Sequence, residues 1–269
     1  MQVSRQRIMG VVNVTPDSFS DGGRFLDHRA AIEHARTIVA QGADWVDVGG
    51  ESTRPRAEPV PVDEELRRVI PVVEALAADG VAVSIDTRKS AVARAAVAAG
   101  ARMVNDVSAT LAADAAAGGA AFVAMHMLGD PRTMQDRPTY DDVVVHVRDY
   151  LVERADAARA AGVGEVWIDP GIGFGKTLEH NLDLLANLDV LVATGYPVLM
   201  GASRKAMLGA LAARADPGGE PPPTSDRLEG SVATAVWALL RGAAMVRVHD
   251  VPATLRALEA VERVAAPAA

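Results

Sequence analysis

Met9–Gly23 reads MGVVNVTPDSFSDGG, and the way this stretch leaves its strand decides between two folds. Ile8 to Val12 is an apolar run with the look of a buried strand. Asn13 to Gly23 then supply eleven residues of turn and hydroxyl chemistry before helical spacing starts near Asp27. A polar loop this long after a buried strand is costly unless it is used. A doubly wound open sheet would instead begin with a glycine-rich turn opening straight into a helix.

Working outward, short β-branched runs alternate with longer Ala-rich stretches at helical spacing. Strands are expected at Ile8–Val12, Trp45–Val48, Val81–Ile85, Met103–Asp106, Phe122–His126, Val166–Asp169, Pro197–Met200 and Ala244–Val248. Helices are expected at Arg29–Gln41, Asp63–Ala78, Ser90–Ala99, Asp141–Ala161, Glu179–Leu188, Arg204–Ala213, Ser225–Arg241 and Ala253–Val264, with a short Ala/Gly-rich crossover at Leu111–Gly118. Gly42, Gly80, Gly100 and Gly162 follow helical stretches, as left-handed C-terminal caps do. Eight β/α alternations predict an α/β fold, a single-domain (β/α)8 TIM barrel spanning 1–269 with its active site at the C-terminal ends of the strands. Mobile loops are expected at about 13–23 and 49–62. A flexible Pro/Gly-rich excursion is expected at about 214–225, inside one crossover.

Composition narrows the function. The 269 residues are 49% hydrophobic and 23% charged, enough for a large core, and 35 acidic against 27 basic residues give a net charge of −8. That balance argues against a nucleic-acid or membrane-surface partner, though it leaves room for a local anion pocket. Zero cysteines exclude disulfides, thiolate metal sites and thiol nucleophiles. The start of the chain lacks the apolar region of a signal peptide, and no uninterrupted run of about 18 apolar residues exists, so cytoplasmic location is expected.

Every expected strand ends in polar chemistry. Strand 1 gives Asn13, with Asp17, Phe19 and Asp21 in its loop; strand 2 gives Gly49 to Pro55; strand 3 gives Asp86-Thr87-Arg88; strand 4 gives Asn105-Asp106. Strand 5 gives Met125-His126, strand 6 Asp169 to Lys176, strand 7 Gly201 to Lys205, and strand 8 Arg247 to Asp250. At a single position a cap or turn explains this; at eight together it does not. Asp86, Asn105, Asp169 and Lys205 can grip a planar heterocycle by its edge, carboxylates accepting from ring N–H groups and lysine donating to ring oxygen or nitrogen. The bland alternatives are Asp86–Arg88 and Asp169–Lys176 ion pairs. Arg247 and His249 point to an anion, because barrels commonly bind phosphate after strands 7 and 8. Asn13 offers a neutral oxygen to Mg²⁺ if water and phosphate oxygens complete the shell. Residues 171–177 lack the first glycine of a P-loop, and the six histidines show no metal-ligand spacing. His126 suits a hydrogen-bonded strand end as well as a ligand.

With these residues in hand, the chain resembles the dihydropteroate synthase family. The matching blocks are Met9–Gly23, Asp47–Pro55 (DVGGESTRP), Ser84–Thr87 (SIDT), Asn105–Ser108 (NDVS), Asp169–Lys176 (DPGIGFGK), Gly201–Lys205 (GASRK) and Arg247–Val251 (RVHDV), in family order across nearly the whole length. The resemblance implies condensation of 6-hydroxymethyl-7,8-dihydropterin diphosphate with 4-aminobenzoate, giving 7,8-dihydropteroate and diphosphate, with Mg²⁺ as cofactor. It implies that Asp86, Asn105, Asp169 and Lys205 hold the pterin, with Met125, Phe174 and Gly201 lining its pocket. Asn13, Arg247 and His249 would take the metal diphosphate with Thr53 nearby. Arg54, Pro55, Ser203 and Phe19 would shape the aminobenzoate site, where sulfonamides compete. The implied mechanism is SN1-like, and Asp21 is the candidate to stabilise a cationic dihydropterin. A homodimer is also implied. The chain departs from the family pattern at Arg56 and at Ala109-Thr110, where glycine is usual. Alternatives are a catalytically silent pterin-binding paralogue, a methyltetrahydrofolate-dependent methyltransferase and a Schiff-base aldolase using Lys205.

Overall fold

A computed structural model describes residues 7–15, 28–52, 57–215 and 219–265. The expected roles of Phe19, Asp21, Thr53, Arg54 and Pro55, and the mobility expected around them, fall outside these residues.

Eight parallel strands form one sheet: β1 (Arg7–Asn13), β2 (Trp45–Gly49), β3 (Val83–Asp86), β4 (Met103–Asp106), β5 (Ala121–Met125), β6 (Val166–Asp169), β7 (Leu199–Met200) and β8 (Met245–Val248). Their order is β6-β5-β4-β3-β2-β1-β8-β7. A bridge between Ile168 and Val198, with the Ile168 N–H donating to Pro197 O at 3.0 Å, joins the two edges. The sheet therefore closes on itself as a TIM barrel, and the open-sheet alternative is discarded.

Helices follow the strands in the expected order. They are α1 (His28–Ala40), α2 (Val62–Ala78), α3 (Ser90–Ala98), α4 (Ala112–Ala117), α5 (Val143–Ala160), α6 (Leu178–Ala186), α7 (Leu188–Val192), α8 (Ala206–Ala215), α9 (Leu228–Leu240) and α10 (Val251–Ala265). The helix expected over Glu179–Leu188 breaks at Asn187, whose backbone N–H and Nδ2 both donate to Asp183 O, at 3.0 and 2.8 Å. The short crossover at Leu111–Gly118 is helical as α4. Gly42, Gly80, Gly100 and Gly162 all carry positive φ, as their capping role requires. In the excursion expected over 214–225, the Pro222 carbonyl accepts two hydrogen bonds from Arg227, at 3.0 and 2.7 Å.

Two cores follow from the two-residue period of the strands. Outward-facing Ile8, Val12, Val46, Val48, Ile85, Val104, Phe122 and Ile168 pack against the helices. Inward-facing Met9, Met103, Ala121, Val123, Trp167, Leu199 and Met245 fill the lower barrel. Above them the inward positions turn largely polar, with Asp47 on β2, Ser84 on β3, Asn105 on β4, Asp169 on β6 and Arg247 on β8. Register sets Asn13 beside Gly49, Gly49 beside Asp86, and Asp86 beside Asn105, so one rung at the C-terminal ends carries a row of functional groups.

Candidate active site

At the centre of that end, Arg247 Nε donates to Asp47 Oδ2 at 2.6 Å and one terminal nitrogen donates to Asp86 Oδ2 at 2.8 Å. Asp47 is fully buried, and the same Oδ2 accepts from Asn105 Nδ2 at 3.0 Å. That bond fixes the amide so that Asn105 Oδ1 is left as an acceptor. Asp47 Oδ1, Ser84 Oγ and Asn105 Oδ1 are all buried without a hydrogen-bond partner among the described residues. Unpaired buried oxygens are costly, and their clustering marks the floor of a site that takes N–H donors or water.

One guanidinium between two carboxylates leaves an excess negative charge. Burial pushes the Asp86 carboxyl up to about 7; Arg247 opposes that rise and Asp47 adds to it. Asp169, buried at the end of β6, is also raised by burial, against the pull of Lys205. Its Oδ1 accepts the Gly171 N–H at 2.7 Å. Burial lowers the Lys205 ammonium to about 8, while Asp169 works to keep it charged. Lys205 Nζ donates to Ile172 O and lies 4.5 Å from the centre of the Phe174 ring. Gly201 sits between the two groups: a Cβ there would lie 3.8 Å from Asp169 Oδ2 and 3.7 Å from Arg247 Cβ. Met125 pairs in register with Asp169 and is buried beneath the turn that carries Phe174. The structure thus brings Asp86, Asn105, Asp169, Lys205, Arg247, Met125, Phe174 and Gly201 to one end of the barrel.

Neither ion pair offered as a bland alternative forms. Arg88 bonds Glu51 at 3.1 Å and reaches Asp130 at 3.6 Å, not Asp86. Lys176 directs its ammonium to the carbonyls of Gly171 and Phe174, each at 3.0 Å, and lies 2.9 Å from His126 Nδ1. His126 is accordingly a hydrogen-bonded strand-end histidine, and burial together with the nearby Lys176 charge lowers its pKa to about 2.

His249 stands just past β8, its backbone N–H and its Nδ1 at 3.2 and 3.0 Å from Ser203 Oγ. Between Ser203 and Lys205, Arg204 adopts φ 60, a left-handed backbone uncommon outside glycine. It is held there from every side: Nε and Nη2 clasp Asp250 at 3.0 and 2.6 Å, its N–H donates to Ser231 Oγ at 2.9 Å, and its carbonyl accepts from Arg227 at 3.1 Å. This over-determination sets the Ser203 and Lys205 side chains apart along the loop.

Asn13 ends β1, half-buried beside Gly49, and its amide hydrogen-bonds to no described residue. A Cβ on Gly49 would lie 3.7 Å from Asn13 Oδ1. Among the described residues no group of three or more His, Asp or Glu is placed to hold a metal. The Asn13 amide oxygen is the kind of single hard donor that a cation can take beside water and phosphate oxygens.

Sequence reasoning missed three contributors. Asp47 lies within a quoted block but had no role; it is the one charged residue in the body of β2, and strand parity turns it inward. Lys176 entered only through an alternative ion pair with Asp169, with no role in the site. Glu51 accepts from Val60 N at 2.7 Å and Lys89 Nζ at 2.6 Å, tying together the two ends of the segment that follows β2. Burial works to raise the Glu51 carboxyl, yet the Lys89 and Val60 bonds outweigh it and hold it low. Lys89 also bonds buried Glu65, which accepts from Thr87 Oγ1 at 2.7 Å.

Residues 9–249 match the family described as pterin binding enzyme. The chain belongs to this family, among the dihydropteroate synthases. It is 50% identical to the dihydropteroate synthase of Mycobacterium leprae (strain TN), over 97% of this chain and 94% of that relative. The solved structure of Xanthomonas albilineans dihydropteroate synthase with 4-aminobenzoic acid superposes with a TM-score of 0.90 at 48% identity, covering 100% of this chain and 96% of the other. That of the Yersinia pestis dihydropteroate synthase with a sulfonamide drug gives 0.89 at 42% identity, covering 98% and 96%. Dihydropteroate synthases are transferases, so the aldolase alternative falls away.

Proposed function

We propose that the chain condenses 6-hydroxymethyl-7,8-dihydropterin diphosphate with 4-aminobenzoate, giving 7,8-dihydropteroate and diphosphate for folate biosynthesis in the cytoplasm. The observation that carries this reading is the polar end of the barrel, where buried Asp47 and Asp169 and part-buried Asp86 face two cations (Arg247, Lys205) above unpaired acceptors. In this reading Asp86, Asn105 and Asp169 accept from the pterin's ring and amino N–H groups while Lys205 donates to it. Met125 and the Phe174 ring close its faces. The excess negative charge of this pocket suits a pterin that becomes cationic when the C–O bond to diphosphate breaks ahead of amine attack. Arg247 and His249 neutralise charge on the departing diphosphate.

Asn13 is the side chain that would hold Mg²⁺, through its amide oxygen. When bound, the ion supplies charge neutralisation on the diphosphate oxygens. Ser203 places the second substrate, with Phe19, Thr53, Arg54 and Pro55, and Asp21 is the group that stabilises the developing cation. Relatives bound to 4-aminobenzoic acid and to a sulfonamide support one aryl-amine subsite for both. The test is diphosphate release by purified protein given pterin diphosphate, Mg²⁺ and 4-aminobenzoate. Pterin binding without diphosphate release would instead identify a silent paralogue.

The same reading includes a homodimer. A groove of about 490 Å³ between α9 and α10 is lined by Leu228, Val232, Val236, Ala253, Ala257 and Val261, with Trp237 and Leu240 exposed nearby. A second copy would cover this apolar face.

A further inference from the structure

Lys176 is 3% exposed, and its ammonium forms no salt bridge within 4.0 Å to a carboxylate of any described residue. Its three N–H bonds are matched by Gly171 O and Phe174 O, each at 3.0 Å, and His126 Nδ1 at 2.9 Å. Burying an ammonium among neutral acceptors is expensive, and burial lowers that of Lys176 to about 7; a chain bears that cost where the lysine's donors do something an apolar residue cannot.

What Lys176 grips is the back of the turn over 171–175. Gly171, Gly173 and Gly175 all take positive φ (65, 83 and 62), and a Cβ on Gly171 would strike His126 O at 1.9 Å. The front of the turn meets the site: Gly171 N–H bonds Asp169, Ile172 O accepts from Lys205, and the Phe174 ring lies against Lys205. Three glycines give a turn without conformational preference of its own, so its shape must be imposed from outside.

We propose that Lys176 is a positioning residue for pterin capture: by holding the Gly171 and Phe174 carbonyls it fixes the Ile172 carbonyl and Phe174 ring that in turn place the Lys205 ammonium. This rests on the pterin reading of the site. It assigns Lys176 no contact with substrate.

The test is calorimetric binding of pterin diphosphate to the full chain. Lys176→Met is expected to weaken binding about tenfold, as loss of a set of charged hydrogen bonds does. The KM for 4-aminobenzoate at saturating pterin should change less than about twofold, because that substrate lies off the turn. A lysine that served stability alone would lower Tm and leave the affinity of the folded protein unchanged; that result overturns the proposal. In a Phe174→Ala background, Lys176→Met should add little, since both act through one turn, and fully additive losses would contradict it. Should Lys176→Met not fold, His126 decides. His126→Leu removes one acceptor and should weaken binding about threefold, while His126→Asn keeps an acceptor and should restore it. Equal binding by both variants, or equal loss in both, overturns the proposal. If the wild type itself binds no pterin diphosphate, the functional reading fails and the proposal with it. If the wild type binds and Lys176→Met binds as well, Lys176 alone loses its role.

Discussion

Arg247 is shared by Asp47 and Asp86, and a second cation, Lys205, stands near Asp169. Charge at this site is therefore poised close to neutral pH. With Asp86 raised to about 7, its carboxyl holds a proton below that value and becomes a full acceptor above it. With Lys205 lowered to about 8, its amine carries charge below that value and loses it above. Both groups are in their binding form only in the narrow window between. Dihydropterin affinity should peak there, falling about tenfold per pH unit on each side once one group has titrated. Calorimetry with a dihydropterin lacking the diphosphate keeps the ligand's phosphate ionisation out of the profile. Asp86→Asn should remove the acid limb and Lys205→Gln the alkaline one, both at reduced affinity. A flat wild-type profile from about pH 6 to about pH 9 would show that neither group binds in the proposed state.

At the scale of elements, strand parity separates two adjacent polar residues at the end of β4. Asn105 turns inward to the site, whereas Asp106 turns outward and organises the turn that leads into α4. Asp106 Oδ1 accepts from Ser108 N and Oγ at 2.8 and 2.5 Å, and Oδ2 accepts from Thr110 N and Leu111 N at 2.6 and 2.8 Å. This cradle holds Ala109 at φ 53, a left-handed backbone kept despite the methyl group. Asp106→Asn replaces one acceptor oxygen by a donor facing backbone N–H groups. It should cost about 2–3 kcal/mol in denaturant unfolding, with little change in pterin affinity of the folded protein. The same parity explains what was legible beforehand. Alternation of β-branched runs with helices ending in glycine gave the barrel, and strand ends gave Asp86, Asn105, Asp169 and Arg247. Asp47 was hidden because an inward carboxylate one rung below the strand end looks like core until its partners on β4 and β8 are known. Lys176 had no role in the sequence beyond an alternative pair with Asp169, because only the fold of three left-handed glycines shows which carbonyls it meets. Phe19, Asp21, Thr53, Arg54 and Pro55 rest on the resemblance, so their roles are tested by activity. Asp21→Ala should lower turnover far more than pterin diphosphate affinity, and equal loss of both would contradict its role in stabilising the cation.

For the whole molecule, the barrel separates its functions by direction. Polar side chains gather at the C-terminal ends of the strands, while α9 and α10 present an apolar groove on the outer wall, and α9 also exposes Trp237 at 43% and Leu240 at 58%. Trp237 is held in place there, its indole N–H donating to Leu185 O at 2.9 Å and Arg241 stacking 4.6 Å from the ring centre. A fixed aromatic beside exposed leucine and a valine-lined groove is the composition of an interface core, where a second copy would remove apolar area from water at about 25 cal/mol per Å². Val236 lines the groove and contributes no group to the site. Val236→Asp buries a carboxylate in any paired state and should shift the chain from dimer to monomer in sedimentation at micromolar concentration. Diphosphate release per chain should persist, because each barrel carries its own Asp86, Asn105, Asp169, Lys205 and Arg247. A wild type that sediments as a monomer at the same concentration removes the dimer. A monomeric Val236→Asp that folds but releases no diphosphate would show instead that the two directions of the barrel are coupled, with pairing needed for turnover.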